Sequence, residues 1–248
     1  PTFATMPHIL NEQGNKKLGK RDGAKDVLDY VRDGYLPETL LSFIATLGWN
    51  DGTEQEVFTK QDLIEKFDLK RVQKSGARFD EKRLLWMNGQ FIRELSLDEL
   101  YEGVTDMWPE SARNADDDYK RSVLALAQDR LKTLRDLPTL TSYFFMEPEA
   151  DLALITENKQ LKKFDASELR ALLGAAAEAL DGCDWNPEAI QDCLNQLLEA
   201  TGQKPGTLFS LIRIATTWAP FSPQLNDTMY LLGKEKTLAR LKDSIEKL

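Results

Sequence analysis

Apolar residues return every three or four positions in one segment after another and almost nowhere alternate with polar ones over a strand's length, which confines the chain to a mainly α fold. In "LPETLLSFIATLGW", Pro37 takes a first-turn position, Leu40, Leu41, Phe43, Ile44 and Leu47 follow the helical period, and Gly48 stops it. Thr59 and Asp62 in "TKQDLIEKF" form a Thr-x-x-Asp capping pattern, and Ser96 in "SLDELYEGV" offers another cap. "FDEKRLLWMNGQFIREL" carries Leu84, Leu85, Met87 and Ile92 into a helix that Asn88-Gly89 should interrupt. After about Tyr101 the segments lengthen. "DDDYKRSVLALAQDRLKTLRDL" reads as one long amphipathic helix, with Asp116 to Asp118 at its start and Lys132 and Arg135 toward its end, both favourable to the helix dipole. "ASELRALLGAAAEAL", "NPEAIQDCLNQLLEATG" and "KEKTLARLKDSIEKL" continue the series, and only "MPHIL" and "QFIREL" alternate like strands, so a little sheet is expected near the start.

Composition removes several classes of chemistry. The 248 residues contain two cysteines and one histidine, too few for a zinc site of the usual kind. A Ser-His-Asp or Cys-His mechanism would rest on His8 alone. Cys183 and Cys193 read as buried thiols of a reducing compartment. No apolar run approaches the roughly 20 residues that span a bilayer, so a cytoplasmic protein without membrane contact is expected. A net charge of −9 argues against sequence-blind nucleic-acid binding.

The charge is uneven, however. Lys16 to Lys25 holds five basic residues against one acid, and Lys70 to Arg83 holds six against two. Positive patches on an acidic body suit a binder that touches a polyanion at chosen places. In the first patch, Gly14, Gly19 and Lys20 fit G-x-x-x-x-G-K, the opening of a phosphate-binding loop. Such a loop needs Ser or Thr next to hold Mg²⁺, and Arg21 stands there. The P-loop nucleotide hydrolase is therefore disfavoured, and a solvated basic turn is its plain competitor.

Three blocks then carry a specific resemblance. "PHILNEQGNKKLGKRDGAKDV" resembles the segment of glutamyl-tRNA synthetases that holds their K-L-S-K-R form of the class I signature loop. Phe79, Asp80, Arg83, Leu84, Trp86, Asn88, Ile92 and Arg93 match that family's F-D-x-x-K-L-x-W-x-N-x-x-x-I-R block. "LFSLIRIATTWAPFSPQLNDTMYLLGKEKTLARL" is similar to its terminal anticodon-binding segment. The blocks follow family order and cover nearly the whole chain.

The resemblance implies a stem-contacting, α-rich domain with little β over residues 1–102, then two helical anticodon-binding domains, 103–162 and 163–248. It implies an ATP-binding loop of Lys17, Leu18, Gly19, Lys20 and Arg21, with Lys20 as the catalytic lysine on the ATP phosphates, where charge develops on the leaving pyrophosphate. Gly19 replaces the family's usual Ser. The second class I signature needs two histidines, so the nucleotide-binding domain is expected to be missing and the isolated chain inactive, while the intact glutamate–tRNA ligase would use ATP with Mg²⁺ to join glutamate to tRNA(Glu). Lys70, Arg71, Lys74 and Arg78 would meet tRNA backbone. Arg213, Ser222, Pro223 and Leu225 match positions that approach anticodon bases, and Arg130 and Arg135 are looser candidates. No cofactor on this portion, no DNA and a monomer are expected.

Other readings stay open at this level. Trp86, Trp108, Trp185 and Trp218 fit burial better than base stacking, with Trp218 standing where the family's A-L-T-G pattern has Gly. Arg213 could be a helix-surface residue without a ligand. A helical scaffold for other proteins, binding no nucleic acid, is the remaining alternative.

Overall fold

The computed structural model describes residues 3, 5–19, 21, 25–219 and 221–248 and is mainly α. The chain forms two compact units, residues 1–104 with 130–136, and residues 105–129 with 137–248.

In the first unit a two-residue strand β1 (Ile9–Leu10) pairs in parallel with β2 (Ala77–Arg78), Ile9 opposite Ala77 and Leu10 opposite Arg78. Helices α1 (Val27–Arg32), α2 (Pro37–Ala45), α3 (Lys60–Lys66), α4 (Glu81–Glu94) and α5 (Leu97–Gly103) make up the rest of this unit, with α2 packed against both α3 and α4. Their starts follow local chemistry. Asp26 begins α1, Thr59 begins α3 and Ser96 begins α5, each with a reciprocal capping box. The hydroxyl of Thr59 holds the Asp62 carboxyl below its ordinary range, and that of Ser96 does the same for Glu99. Pro37 begins α2 as expected, but that helix buries Thr39, Leu40, Ser42 and Phe43 and leaves Leu41 and Ile44 exposed.

Helix α4 corrects two expectations. It runs unbroken through Asn88-Gly89, and "QFIREL" is its last stretch rather than a strand. Leu84, Met87, Asn88 and Ile92 share one buried stripe. Asn88 is fully buried, and its amide links the 34–39 stretch to Lys132. Its Oδ1 accepts from the Leu36 backbone N–H and the Thr39 hydroxyl, both at 2.9 Å. Its Nδ2 donates to the Lys132 carbonyl at 2.6 Å and the Gly34 carbonyl at 3.4 Å. Gly89 faces the Leu131 carbonyl, where a Cβ would stand in contact at 3.4 Å.

The segment from Arg130 to Asp136 is thus a strap on the first unit and not the end of a long helix. α6 (Asp117–Ala127) stops earlier, passes into a 3-10 turn, and leaves Lys132 and Arg135 beyond its C-terminus. The strap follows from buried Leu131 and Leu134 and from Asp136, whose carboxylate accepts from the Lys132 and Thr133 N–H groups. Gly34, at φ 87°, makes the docking possible: a Cβ there would lie 2.7 Å from the Arg135 nitrogen.

The second unit packs α6 with α7 (Leu137–Phe145) and gathers α8 (Ala153–Thr156), α9 (Ala166–Asp181), α10 (Pro187–Thr201), α11 (Pro205–Thr217), α12 (Leu225–Leu232) and α13 (Lys234–Lys247) around one apolar core. Leu173, Ile190, Leu211, Met229 and Leu241 sit at its centre. Val123, Tyr143 and Phe144 form a second cluster with Ala219 and Leu232. Arg240 of α13 is buried and donates to the Thr216, Tyr143 and Met146 carbonyls at 2.9, 2.9 and 3.1 Å. Its Nε meets Glu147 at 2.9 Å, which holds that carboxyl below its ordinary range. Among the described residues no helix is long and apolar enough to cross a membrane.

Candidate nucleic-acid interface

The loop after β1 is an organised turn as far as Gly19. Asn11 is buried, and its Oδ1 accepts from the Asn15 and Lys16 N–H groups while its own N–H reaches the Lys16 carbonyl at 2.9 Å. Lys17 bridges back to Leu10, and the Leu18 N–H donates to the Ile9 carbonyl at 2.8 Å. Lys17 and Arg21 are exposed, and Leu18 and Gly19 half-buried. Lys20 lies outside the described residues. Among the described residues the first α-helix after the turn is α1, which begins at Val27, so they do not form the strand–loop–helix geometry of a P-loop.

Strand pairing brings Arg78 to this turn. Its aliphatic stem lies against Gly14, and the Phe79 N–H donates to the Leu10 carbonyl at 2.9 Å. Lys70, Arg71, Lys74 and Arg78 are all exposed. Arg71 is partly committed, its Nη1 donating to the Asp51 carbonyl at 2.6 Å. On the strap, Arg130 and Arg135 are exposed, and Arg135 Nε donates to the Arg32 carbonyl at 2.8 Å. The first unit therefore carries exposed positive charge on its loop, its Lys70–Arg78 segment and its strap.

In the second unit, α11 presents Arg213 half-buried, and the segment leading into α12 comes back against it. Arg213 Nε donates to Ser222 Oγ at 2.9 Å, and that hydroxyl donates to the Pro223 carbonyl at 3.0 Å. The pair fixes the guanidinium's orientation at the cost of a side-chain rotor. Ser222, Pro223 and Leu225, expected to approach bases, are themselves buried, with Leu225 in the core. Phe221 is 58 % exposed beside them. Sequence reasoning passed over it, although an aromatic directly before the Ser-Pro pair was a usable signal.

Trp218 resolves toward burial. It is 8 % exposed, packs on the core, and ends α11 in the left-handed conformation at φ 44°. The backbone at this position favours glycine, and the indole occupies it at a strain of about 1 kcal/mol. Trp218→Gly should relieve that strain and lose a buried indole worth about 3–5 kcal/mol, a net destabilisation readable in a urea titration. Trp108 and Trp185 are also packed, whereas Trp86 departs from the expected burial and is 43 % exposed on α4. Cys183 and Cys193 are half-buried free thiols rather than fully buried ones, because both border a surface cavity.

Comparison with known proteins identifies the chain's relatives. Residues 99–245 match the family model described as "Anticodon binding domain", and residues 1–86 match the model described as "tRNA synthetases class I (E and Q), catalytic domain". The glutamate–tRNA ligase of Exiguobacterium sibiricum is 36% identical over 258 residues, covering 97% of this chain and 51% of its own length. That of Moorella thermoacetica is 36% identical over 248 residues, covering 97% of this chain and 50% of its own. The crystal structure of a glutamate tRNA ligase from Elizabethkingia meningosepticum superposes with a TM-score of 0.76 at 27% identity, covering 100% of this chain and 52% of that one. The chain belongs to the glutamate–tRNA ligase family of class I tRNA synthetases. It spans about half the length of the curated relatives it matches.

Proposed function

We propose that this chain is the tRNA-recognising portion of a glutamate–tRNA ligase, which joins glutamate to tRNA(Glu) at the expense of ATP in the cytoplasm. The observation that carries the reading is the Arg213–Ser222 pair, an oriented guanidinium within the segment matching the anticodon-binding model. A fixed guanidinium reads a base edge through paired donors, whereas a mobile one would give only charge. The exposed cations of the first unit hold phosphates, positioning the nucleic acid without reading it. Lys17, Lys20 and Arg21 supply positive charge for ATP phosphates, with Mg²⁺ neutralising the rest, and Lys20 acts on the leaving pyrophosphate. We assign residues 1–102 to stem contact, and 103–162 and 163–248 to two anticodon-binding modules. A monomer binds one tRNA.

The test is fluorescence anisotropy with a tRNA(Glu) transcript at two salt concentrations. Phosphate contacts predict weaker binding as salt rises. Arg213→Ala should cost about 1–3 kcal/mol and relax the preference for the cognate anticodon, while Lys74→Ala should weaken cognate and non-cognate transcripts alike. Unchanged affinity and unchanged preference for Arg213→Ala would remove Arg213 from the interface.

A further inference from the structure

Helix α9 ends at Asp181 and α10 begins at Pro187, so the short connection between them turns the chain back on itself. Cys183 lies in that connection and Cys193 about two turns into α10. Both line one solvent-open cavity of about 560 Å³, bordered also by Glu178, Asp184, Asp192 and Gln196. Cys183 Sγ donates to the Asp184 carbonyl at 3.0 Å. The connection is held on both sides. Lys234 Nζ donates to the Asp181 and Cys183 carbonyls at 2.6 and 3.3 Å, and Asn226 Nδ2 donates to the Pro187 carbonyl at 3.3 Å. Both cysteines therefore open onto one cavity from a connection that is held in place, the juxtaposition from which a bridge can close.

We propose that Cys183 and Cys193 are a dithiol modification site, closing to an intramolecular disulfide by exchange with a small cationic disulfide. In the first step the Cys183 thiolate attacks one sulfur of the external disulfide. The external S–S bond breaks, a mixed disulfide forms, and the departing thiolate takes up the proton that Cys183 gave up. The Cys193 thiolate then attacks the Cys183 sulfur, the Cys183–Cys193 bond forms, and the second small thiol leaves with the proton of Cys193. Two protein thiols are oxidised by two electrons and one external disulfide is reduced to two thiols. The order follows from position: Cys183 is on the connection, whereas burial pushes the Cys193 thiol up to about 11 and suits it to the intramolecular step, where the local sulfur concentration is high. The carboxylates of Glu178, Asp184 and Asp192 at the cavity select the reagent's charge, favouring a cation over an anion.

The experiment treats the reduced chain with cystamine, a dication, or with the anionic glutathione disulfide, under native conditions, and follows intact mass and free thiols. The expected product with cystamine has lost about 2 Da and both titratable thiols, and a non-reducing digest joins the Cys183 and Cys193 peptides. Its rate should exceed that with glutathione disulfide about tenfold at low salt, and the difference should shrink as salt rises. Cys193→Ser should instead stop at one cysteamine adduct. Two cysteamine adducts on the wild type, a disulfide-linked dimer, or two unreacted thiols would each overturn the proposal. An equal rate with both reagents would overturn the charge selection.

Discussion

Replacing Arg240 by alanine should lower the stability of the second unit by about 3–5 kcal/mol, read as a shift of its urea midpoint with the slope unchanged. The effect does not come from the ion pair. Glu147 is 70 % exposed on its side chain, and such a pair contributes at most about 1 kcal/mol. The cost comes from the carbonyls of Thr216, Tyr143 and Met146, which lie at the C-terminal ends of α11 and α7, where the helix dipole is negative and helical donors have run out. Leaving each without a partner costs about 1–3 kcal/mol before any relaxation. Glu147→Ala should therefore cost less than about 1 kcal/mol, and Arg240→Lys should recover little, because one ammonium cannot span acceptors that the guanidinium fork reaches together. Equal losses in Arg240→Ala and Glu147→Ala would show that the exposed carboxylate, and not the helix ends, sets the role of Arg240.

Arg240 also shows which parts of this molecule are legible in its sequence. The Leu-Gly-Lys-Glu-x-x-Leu-x-Arg-Leu ending carries a family resemblance through its residue types alone, yet nothing in it hints that Lys234 caps the end of α9 or that Arg240 ties α13 to α11 and α7. Capping by Thr59, Ser96 and Asn186 can be read because donor and acceptor stand within three residues of each other. The Arg240 bonds to Tyr143 and Met146 span 97 and 94 residues, and no local pattern encodes such a pairing. The same distance limit explains the strap. Its apolar and charged residues continue the period of α6, and only Asp136, turned back onto Lys132 and Thr133, and Gly34, far earlier in the chain, make the chain leave the helix there. At the candidate interface, Arg213 and Ser222 are legible as types of residue, while their bond, the burial of Pro223 and Leu225 and the exposure of Phe221 depend on how the chain returns over α11.

Asn88 yields the second large effect, and its signature is a pH dependence that a plain cavity would not produce. Asn88→Ala should cost the first unit about 3–4 kcal/mol, since the Leu36 N–H, the Thr39 hydroxyl and the Lys132 carbonyl are left unpaired in a buried site. Limited proteolysis should then cut near the strap before the rest of the unit, because the Lys132 bond is one of the ties that hold it. Asn88→Asp separates the two halves of the amide. A carboxylate keeps the acceptor for Leu36 and Thr39 but sets negative charge against the Lys132 and Gly34 carbonyls, where only a protonated oxygen can donate. Burial and those carbonyls favour the neutral acid, so the folded-state pKa lies above the unfolded one. The unfolded chain then releases its proton first as pH rises. Stability of Asn88→Asp relative to Asn88→Ala should be greatest below the unfolded carboxyl pKa, near 4, and fall as pH climbs through the higher folded value. A difference between the two variants that stays flat from pH 4 to 8 would mean that residue 88 does not donate to the strap.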